Sequence, residues 1–326
     1  MLIIRTPFRM SFFGGGTDYS EYFSEYGGSV LSTTIDKYCY LSIRRLPPFF
    51  EHHNQLTYSR IERFNQPSEV EHPLVREALK YIPTDRIQIA YDADLPACSG
   101  IGSSSSFAVG LLQGLHALKN EYPDRMELAK EAIYLERELC AETGGVQDQI
   151  AAAFGGFNRI DFSADGYSVK PIQISKERVD ALQSNLMLVF TGFTHFSGEI
   201  SKEQKMNIPS TLDQLHEMKR LVDDAEKILE SGNIDDFGRL LHQAWQYKRT
   251  LSSSISNWQI DSIYDRAIKN GALGGKVLGA GGGGFMLLYA TPENQERIRS
   301  SLRELNFFPF SFEYTGTKIL YEDSQV

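Results

Sequence analysis

The chain has 326 residues, with 33 Lys and Arg against 42 Asp and Glu for a formal charge of −9, and 41% of it is hydrophobic. At ~150 residues per domain that length fits a pair of domains, and it buries enough surface to need no disulfide or metal staple. The acidic balance and a mean hydropathy of −0.30 argue against a nucleic-acid partner and against residence in a membrane. Cys39, Cys98 and Cys140 lie far apart with no CxxC pair, so neither a disulfide scaffold nor a structural zinc is expected, and a reducing compartment is. Arg5 and Arg9 break the N-terminal apolar run, so no signal peptide is expected and the reading is cytoplasmic.

In chain order, β-biased residues 2–13 run into Gly14-Gly15-Gly16, and Val, Ile, Thr and Tyr over 29–45 predict a long strand. Residues 47–72, polar and proline-bearing, read as an irregular excursion, and 72–82 as a short helix. Alternation of Ile87, Ile89 and Tyr91 with polar positions predicts a half-buried strand over 86–96. Helical spacing of Ala108, Leu111, Leu112, Leu115 and Leu118 follows, then a second helix over about 125–141, broken at Gly144-Gly145. A helical turn at VQDQIAAAF leads through Gly155-Gly156 to a strand at FNRIDF, and NLMLVFTG (185–192) reads as a buried strand. Helices are expected over 211–230, 234–251, 258–270 and 292–305, a glycine loop feeding a strand over 274–290, and a last strand near 309–320. The pattern is α+β, and the expected division is 1–180 and 181–326.

Ser99-Gly100-Ile101-Gly102-Ser103-Ser104-Ser105-Ser106 lies between a strand and a helix. Glycines let the backbone approach a ligand, and a helix start offers free N–H groups, so the loop reads either as a phosphate site or as a serine N-cap after a turn. It is neither a P-loop nor a dinucleotide fingerprint. On the 126–140 helix at about 100° per residue, Leu128, Ala129, Ala132, Ile133, Leu135, Leu139 and Cys140 share one arc. Glu136 falls near the middle of that arc, while Glu127, Lys130, Glu131, Arg137 and Glu138 face elsewhere. A carboxylate on an apolar face is costly unless it binds metal, serves a site or pairs with a core arginine. Asp148 reads as a helix-dipole aspartate or, beside Glu136 and the anion loop, as catalytic. Arg9 alternates with apolar neighbours and so needs a partner, and Asp18 after its glycines suits either a turn or sugar hydroxyls. The core-like flanks of Gly279–Gly284 favour a close approach to a ligand or another segment over a linker.

PFRMSFFGGGTDY, LPACSGIGSSSS and GGKVLGAGGGGFMLLY, spread over residues 7–289, resemble the three motifs of the GHMP small-molecule kinases. The triple glycine before Thr17-Asp18, the stretch Gly144 to Gln149, and LSSSISNWQIDSIYDRAIKNGALGGKVLGAGGGG resemble the bacterial D-glycero-D-manno-heptose 7-phosphate kinases. The resemblance implies an N-terminal domain like the second domain of ribosomal protein S5, a ferredoxin-like C-terminal domain, and ATP between them. It places the phosphates on residues 99–106, Mg²⁺ on Ser103 or Ser104 with Glu136, and catalysis on Asp148 and Arg9. It gives the acceptor, a sugar or sugar phosphate, to Gly16, Thr17, Asp18, Gly145, Asp148, Gly281 and Gly282. Three departures stand out. Gly15-Gly16 replace the Glu-His pair of galactokinases, His195 stands where heptose kinases are expected to carry arginine, and Ser105 replaces a usual alanine, a change expected to be harmless. A phosphorylated acceptor would need cations, for which Lys202, Lys205, Lys248 and Arg249 are candidates or simply solvated surface. The expected reaction is γ-phosphoryl transfer to an anomeric hydroxyl. The alternatives are a galactokinase or fucokinase type of sugar kinase, a non-catalytic sugar sensor, or a diphosphate decarboxylase.

Overall fold

The computed structural model describes residues 1–194 and 197–323; His195 lies outside them. Strands β1 (Leu2–Phe13) and β2 (Gly28–Arg45) form where the β-branched and aromatic runs predict them, and they pair antiparallel along most of their length. The register slips at Pro7/Phe8 and again between Ser11 and Phe13. Proline has no N–H for the ladder, and such bulges re-aim the side chains that follow. Arg9 comes just after the first slip.

Between the two strands lies α1 (Ser20–Tyr26). After β2 the chain makes a small hairpin, β3 (Asn54–Thr57) and β4 (Ile61–Phe64), then α2 (Pro73–Tyr81) and β5 (Ile87–Ala93). The stretch read as irregular thus holds a hairpin, whose Leu56 and Phe64 are buried. Helices α3 (Ser103–Ala117) and α4 (Arg125–Tyr134) follow, α4 starting on a capping box of Asp124 and Glu127. The second helix does not run regularly to 141, because Leu135–Leu139 widens into a π turn closed by Cys140 N–H donating to Leu135 O at 2.9 Å. Next come α5 (Gln147–Phe154), β6 (Phe157–Ser163), β7 (Gly166–Pro171) and α6 (Lys176–Ser184).

The remaining elements are β8 (Leu186–Phe190), α7 (Ser197–Asn207), α8 (Leu212–Ser231), α9 (Asp235–Thr250), α10 (Trp258–Lys269), β9 (Gly274–Val277), β10 (Phe285–Tyr289), α11 (Pro292–Ser301) and β11 (Asn306–Phe308). Strands β12 (Phe312–Glu313) and β13 (Lys318–Glu322) close the chain, so the single strand expected near 309–320 is two short ones.

Among the described residues, β8 to β11 form an antiparallel sheet in the order β11-β8-β10-β9. With α8 and α9 between β8 and β9, and α11 between β10 and β11, this is the β-α-β-β-α-β path of a ferredoxin-like domain. The larger sheet runs β13-β1-β2-β5-β3-β4, with β6, β7 and β12 joined through β2. β12 and β13 therefore return to the first sheet, across the division expected at residue 180. Helix α3 packs on β1 and β2 and touches α4 and α5. Phe8, Phe12 and Phe13 at the end of β1 share a core with Phe237 of α9 and Phe285 of β10, which fixes the two sheets against each other. No helix among the described residues is long and apolar enough to cross a membrane.

Candidate active site

Three segments remote in sequence meet at the start of α5. The Arg9 guanidinium donates through Nε to Asp148 Oδ1 at 2.7 Å and through Nη2 to Oδ2 at 2.6 Å, a planar two-pronged pair. Its Nη1 donates to Gly100 O at 2.6 Å, and its backbone N–H to Ile101 O at 3.0 Å. Arg9 is only 4% exposed, so the partner that its place in the strand demanded is Asp148.

Above this pair the serine-glycine loop turns into α3. Gly102 has φ +74°, and a Cβ there would lie 3.2 Å from Arg9 Cγ and 3.3 Å from Asp148 Oδ2. Only glycine fits both the left-handed backbone and the close approach. Ser106 N–H makes the first intrahelical bond, to Gly102 O at 2.9 Å, leaving the amides of residues 103–105 at the helix N-terminus, a geometry suited to an anion. The side chains divide: Ser99 Oγ donates to Pro96 O at 2.6 Å, Ser106 Oγ to Pro7 O at 2.8 Å, and Ile101 lies in the core. Ser99, Ile101 and Ser106 thus shape the loop, while Gly100, Gly102, Ser103 and Ser104 are its accessible part.

Glu136 is 1% exposed, as the apolar arc predicted, and its partners are not an arginine. Ser104 Oγ donates to Oε1 at 2.9 Å, Ser105 Oγ to Oε2 at 2.7 Å, and Gln149 Nε2 to Oε2 at 2.5 Å. The serines bonded to the glutamate are Ser104 and Ser105, and Ser105, expected to be a harmless change from alanine, is a donor to it. Glu142 adjoins the group: burial first, then the Glu136 charge, push its carboxyl up to about 7.

Asp18 sits on the other side of α5. It accepts from Gly16 N–H at 2.9 Å and from Gln147 Nε2 at 2.9 Å. Burial, opposed by those bonds and reinforced by the Asp148 charge, raises its pKa. A Cβ on Gly145 would fall 1.8 Å from Asp18 Oδ2, so the bare backbone there is what admits the carboxylate. Thr17 is different: its hydroxyl donates to Gly14 O at 2.8 Å and Ser29 O at 3.0 Å, holding the first glycine loop rather than facing a ligand.

The third glycine loop braces the second. Phe285 N–H donates to Ser99 O at 3.0 Å, and a Cβ on Gly279 would lie 2.5 Å from Gly100 Cα. Gly282 N–H bonds Ile255 O at 2.8 Å, and a Cβ on Gly281 would meet the same carbonyl at 2.8 Å. Gly281 and Gly282, expected on the substrate, are thus packed on Ile255. The cations expected on an acceptor phosphate are mostly engaged too. Lys205 pairs with Glu21 at 2.5 Å and Arg249 with Asp261 at 3.1 Å, while Lys202 is exposed. Lys248 is buried, its Nζ donating to Val277 O at 3.0 Å and Gly279 O at 2.5 Å. Lys276 Nζ donates to Phe12 O at 2.9 Å. Burial and neighbouring cations depress Lys248 well below the lysine range and bring Lys276 down to about 7.

The family model of the GHMP kinases N terminal domain matches residues 72–156, and that of the GHMP kinases C terminal matches 225–306. The D-glycero-alpha-D-manno-heptose 7-phosphate kinase of Campylobacter jejuni is 31% identical over 96% of this chain and 97% of its own. The chain belongs to the GHMP kinases. Among other members of the family, a galactokinase of Thermotoga neapolitana is 22% identical over 97% of each chain. The crystal structure of a D-glycero-D-manno-heptose 1-phosphate kinase from Bacteriodes thetaiotaomicron superposes on this GHMP kinase with a TM-score of 0.81, at 26% identity, over 99% of this chain and 100% of that one.

Sequence reasoning missed Gln147 and Gln149, which place the two carboxylates beside Asp148. The available signal was a Gln-Asp-Gln run at a helix start, with both glutamines in a stretch apolar enough to be buried. It also missed Lys276, hidden in the third motif, for which the pattern held no signal of depth.

Proposed function

We propose that this kinase transfers the γ-phosphoryl group of ATP to the anomeric hydroxyl of a sugar, with D-glycero-D-manno-heptose 7-phosphate as acceptor and the 1,7-bisphosphate as product. Its standing as an ATP-dependent sugar kinase follows from its family and from the heptose phosphate kinase it resembles end to end. The observation that carries the reaction is the two-pronged Arg9–Asp148 pair, seated under the anion loop and next to Gln147, which holds buried Asp18.

In this reading the amides of residues 103–105, with Gly100 and Gly102, hold the triphosphate. The metal site would be Glu136 with the hydroxyl of Ser104 and, by family resemblance, Ser103. The donors are hard oxygens, and the neighbouring Glu142 carboxyl already feels an excess of negative charge. Among the described residues no cluster of three or more acidic, His or Cys side chains offers a full cage, which suits Mg²⁺ completed by nucleotide phosphates. When bound, that ion would supply charge neutralisation on the phosphates.

Phosphoryl transfer depends mainly on positioning and charge stabilisation. Arg9, fixed by three donors, meets charge developing on the transferred group. Asp148 is oriented by both of its bonds to Arg9, and each carboxylate oxygen keeps a lone pair for the acceptor hydroxyl. It accepts that proton or orients it as the oxygen attacks. Asp18, with Gly16 and Gly145 around it, receives hydrogen bonds from the sugar.

The test is ADP release over a panel of free and phosphorylated sugars that includes heptose 7-phosphate, galactose and fucose. Turnover of the heptose 7-phosphate at least 10-fold above the others by kcat/KM supports the reading. Preference for galactose or fucose would place the enzyme with those kinases, and sugar binding without ADP release would make it a sensor.

A further inference from the structure

Arg137 follows the buried Glu136 on the π turn and points the opposite way. Here residues 135–139 close i to i+5 bonds, with Cys140 N–H on Leu135 O, and Glu142 N–H reaches back to Glu136 O at 2.9 Å. One residue of the turn faces the serines of α3, and the next faces the loop before α5. There Arg137 Nη2 donates to Gly145 O at 2.6 Å.

The rest of the guanidinium is poorly matched. Its nearest carboxylate, on Glu142, stands 3.9 Å from Nη1, beyond hydrogen-bond distance. Its Nε is buried and, among the described residues, has no partner. Arginine left with an unused edge in a mostly buried place is costly, and its fork matches phosphate oxygens in geometry and charge.

Its surroundings are those of the acceptor site. The carbonyl it holds belongs to Gly145, whose missing side chain admits Asp18. Gly144 has φ +157°, and a Cβ there would lie 3.2 Å from Arg137 Nη2. Tyr19, next to Asp18, feels the Arg137 charge as well as that of Asp18. Thr143 Oγ1 donates to Gly198 O at 2.8 Å, tying this loop to the first turn of α7. Asp148, Gln147 with Asp18, Gly145 and Arg137 therefore follow one another outward from the transfer centre.

We propose that Arg137 is a specificity-determining residue that recognises a phosphate ester on the sugar acceptor, at the end remote from the hydroxyl that reacts. The inference rests on the sugar-kinase reading above and adds to it the residue that separates phosphorylated from free acceptors. It also supplies the cation that Lys205, Lys248 and Arg249 do not.

The experiment compares wild type, Arg137→Lys and Arg137→Gln in ADP release, with D-glycero-D-manno-heptose 7-phosphate and the same heptose lacking the phosphate. The readout is the ratio of kcat/KM for the phosphorylated sugar to that for the free one. Loss of two charge-assisted bonds lowers this ratio about 100-fold in Arg137→Gln, mainly through the acceptor KM. Arg137→Lys, which keeps a charge and a donor for Gly145 O but loses the fork, falls in between, and it carries the test if the glutamine variant does not fold. Equal losses on both sugars, leaving the ratio unchanged, would reduce Arg137 to a loop clasp and overturn the proposal. A wild type that turns over free sugars, with a ratio below one, would overturn it while leaving the kinase reading intact. A wild type that turns over no sugar would overturn the kinase reading, and this inference with it.

Discussion

Replacing Asp148 with asparagine tests the centre of the site with almost no change of shape. Arg9 offers donors to both carboxylate oxygens, at 2.7 and 2.6 Å. An asparagine can accept only one of them, because its NH₂ would face a guanidinium N–H. The variant therefore loses one charge-assisted bond, ~1.5–3 kcal/mol, and leaves Arg9 without its counter-charge. Breaking a fully buried pair costs ~3–5 kcal/mol. Here the Arg9 side chain is 5% exposed but that of Asp148 is 21% exposed, so water compensates in part and ~3 kcal/mol is the expected loss. At ~2 °C per kcal/mol for a chain of this size, the thermal midpoint should fall by about 6 °C. With Arg9 re-aimed and the proton acceptor gone, kcat should drop at least ~100-fold. Thermal unfolding and steady-state ADP release measure both. A variant whose kcat stays within 3-fold and whose midpoint moves by less than ~2 °C would refute both the pairing and the role assigned to Asp148.

Gly145→Ala forces a Cβ to within 1.8 Å of Asp18 Oδ2, so the acceptor KM should rise at least ~10-fold while the affinity for ATP, read by fluorescence titration, stays put. Ser105→Ala removes the 2.7 Å bond to Glu136 Oε2 in a buried place. It should cost ~1.5–3 kcal/mol in urea unfolding and raise the Mg²⁺ concentration needed for half-maximal rate. Lys276 is brought down to about 7 by burial and the Arg9 charge, whereas in the unfolded chain it titrates near the ordinary ~10.4. Between those values the unfolded state binds more protons, so this residue makes stability rise with pH, by up to ~1.4 kcal/mol per unit. Lys276→Met should remove that part of the slope, and identical pH–stability slopes in both proteins would contradict the burial of its charge.

What could be read from the sequence follows the range of the interactions involved. The strands at 2–13 and 28–45 and helices α8, α9 and α10 announce themselves through local periodicity, and the structure places them within a residue or so of expectation. Short polar helices such as α1, α6 and α7 carry little amphipathic signal and were not foreseen; their positions are set by packing. Glu136 was legible because one helical turn of arithmetic puts it on an apolar face. Its partners were not, since Ser104 and Ser105 lie 32 and 31 residues away and Gln149 lies 13 residues away. Arg9 showed that it needed a partner, but not which, because Asp148 lies 139 residues on. The same helical arithmetic turns Arg137 off the apolar arc but says nothing of what it faces.

The first turn of α5 explains why one short helix can organise the whole site. Successive helical residues point about 100° apart, so Gln147, Asp148 and Gln149 cannot share a face. They fan out instead, Gln147 to Asp18, Asp148 to Arg9 and Gln149 to Glu136. Asp18, Arg9 and Glu136 are thereby referenced to one rigid backbone segment. That arrangement works only if α5 itself cannot drift, and three consecutive small residues, Ala151, Ala152 and Ala153, bury it closely in the core. The C-terminal return supplies the other constraint. Thr317 N–H bonds Ala152 O at 2.9 Å, Gly156 N–H bonds Glu313 O at 3.1 Å, and a Cβ on Gly155 would fall 2.1 Å from Gly316 N. The crossing of β12 and β13 back to the first sheet thus has a mechanical consequence: the tail of the chain locks the helix on which all three charged groups depend.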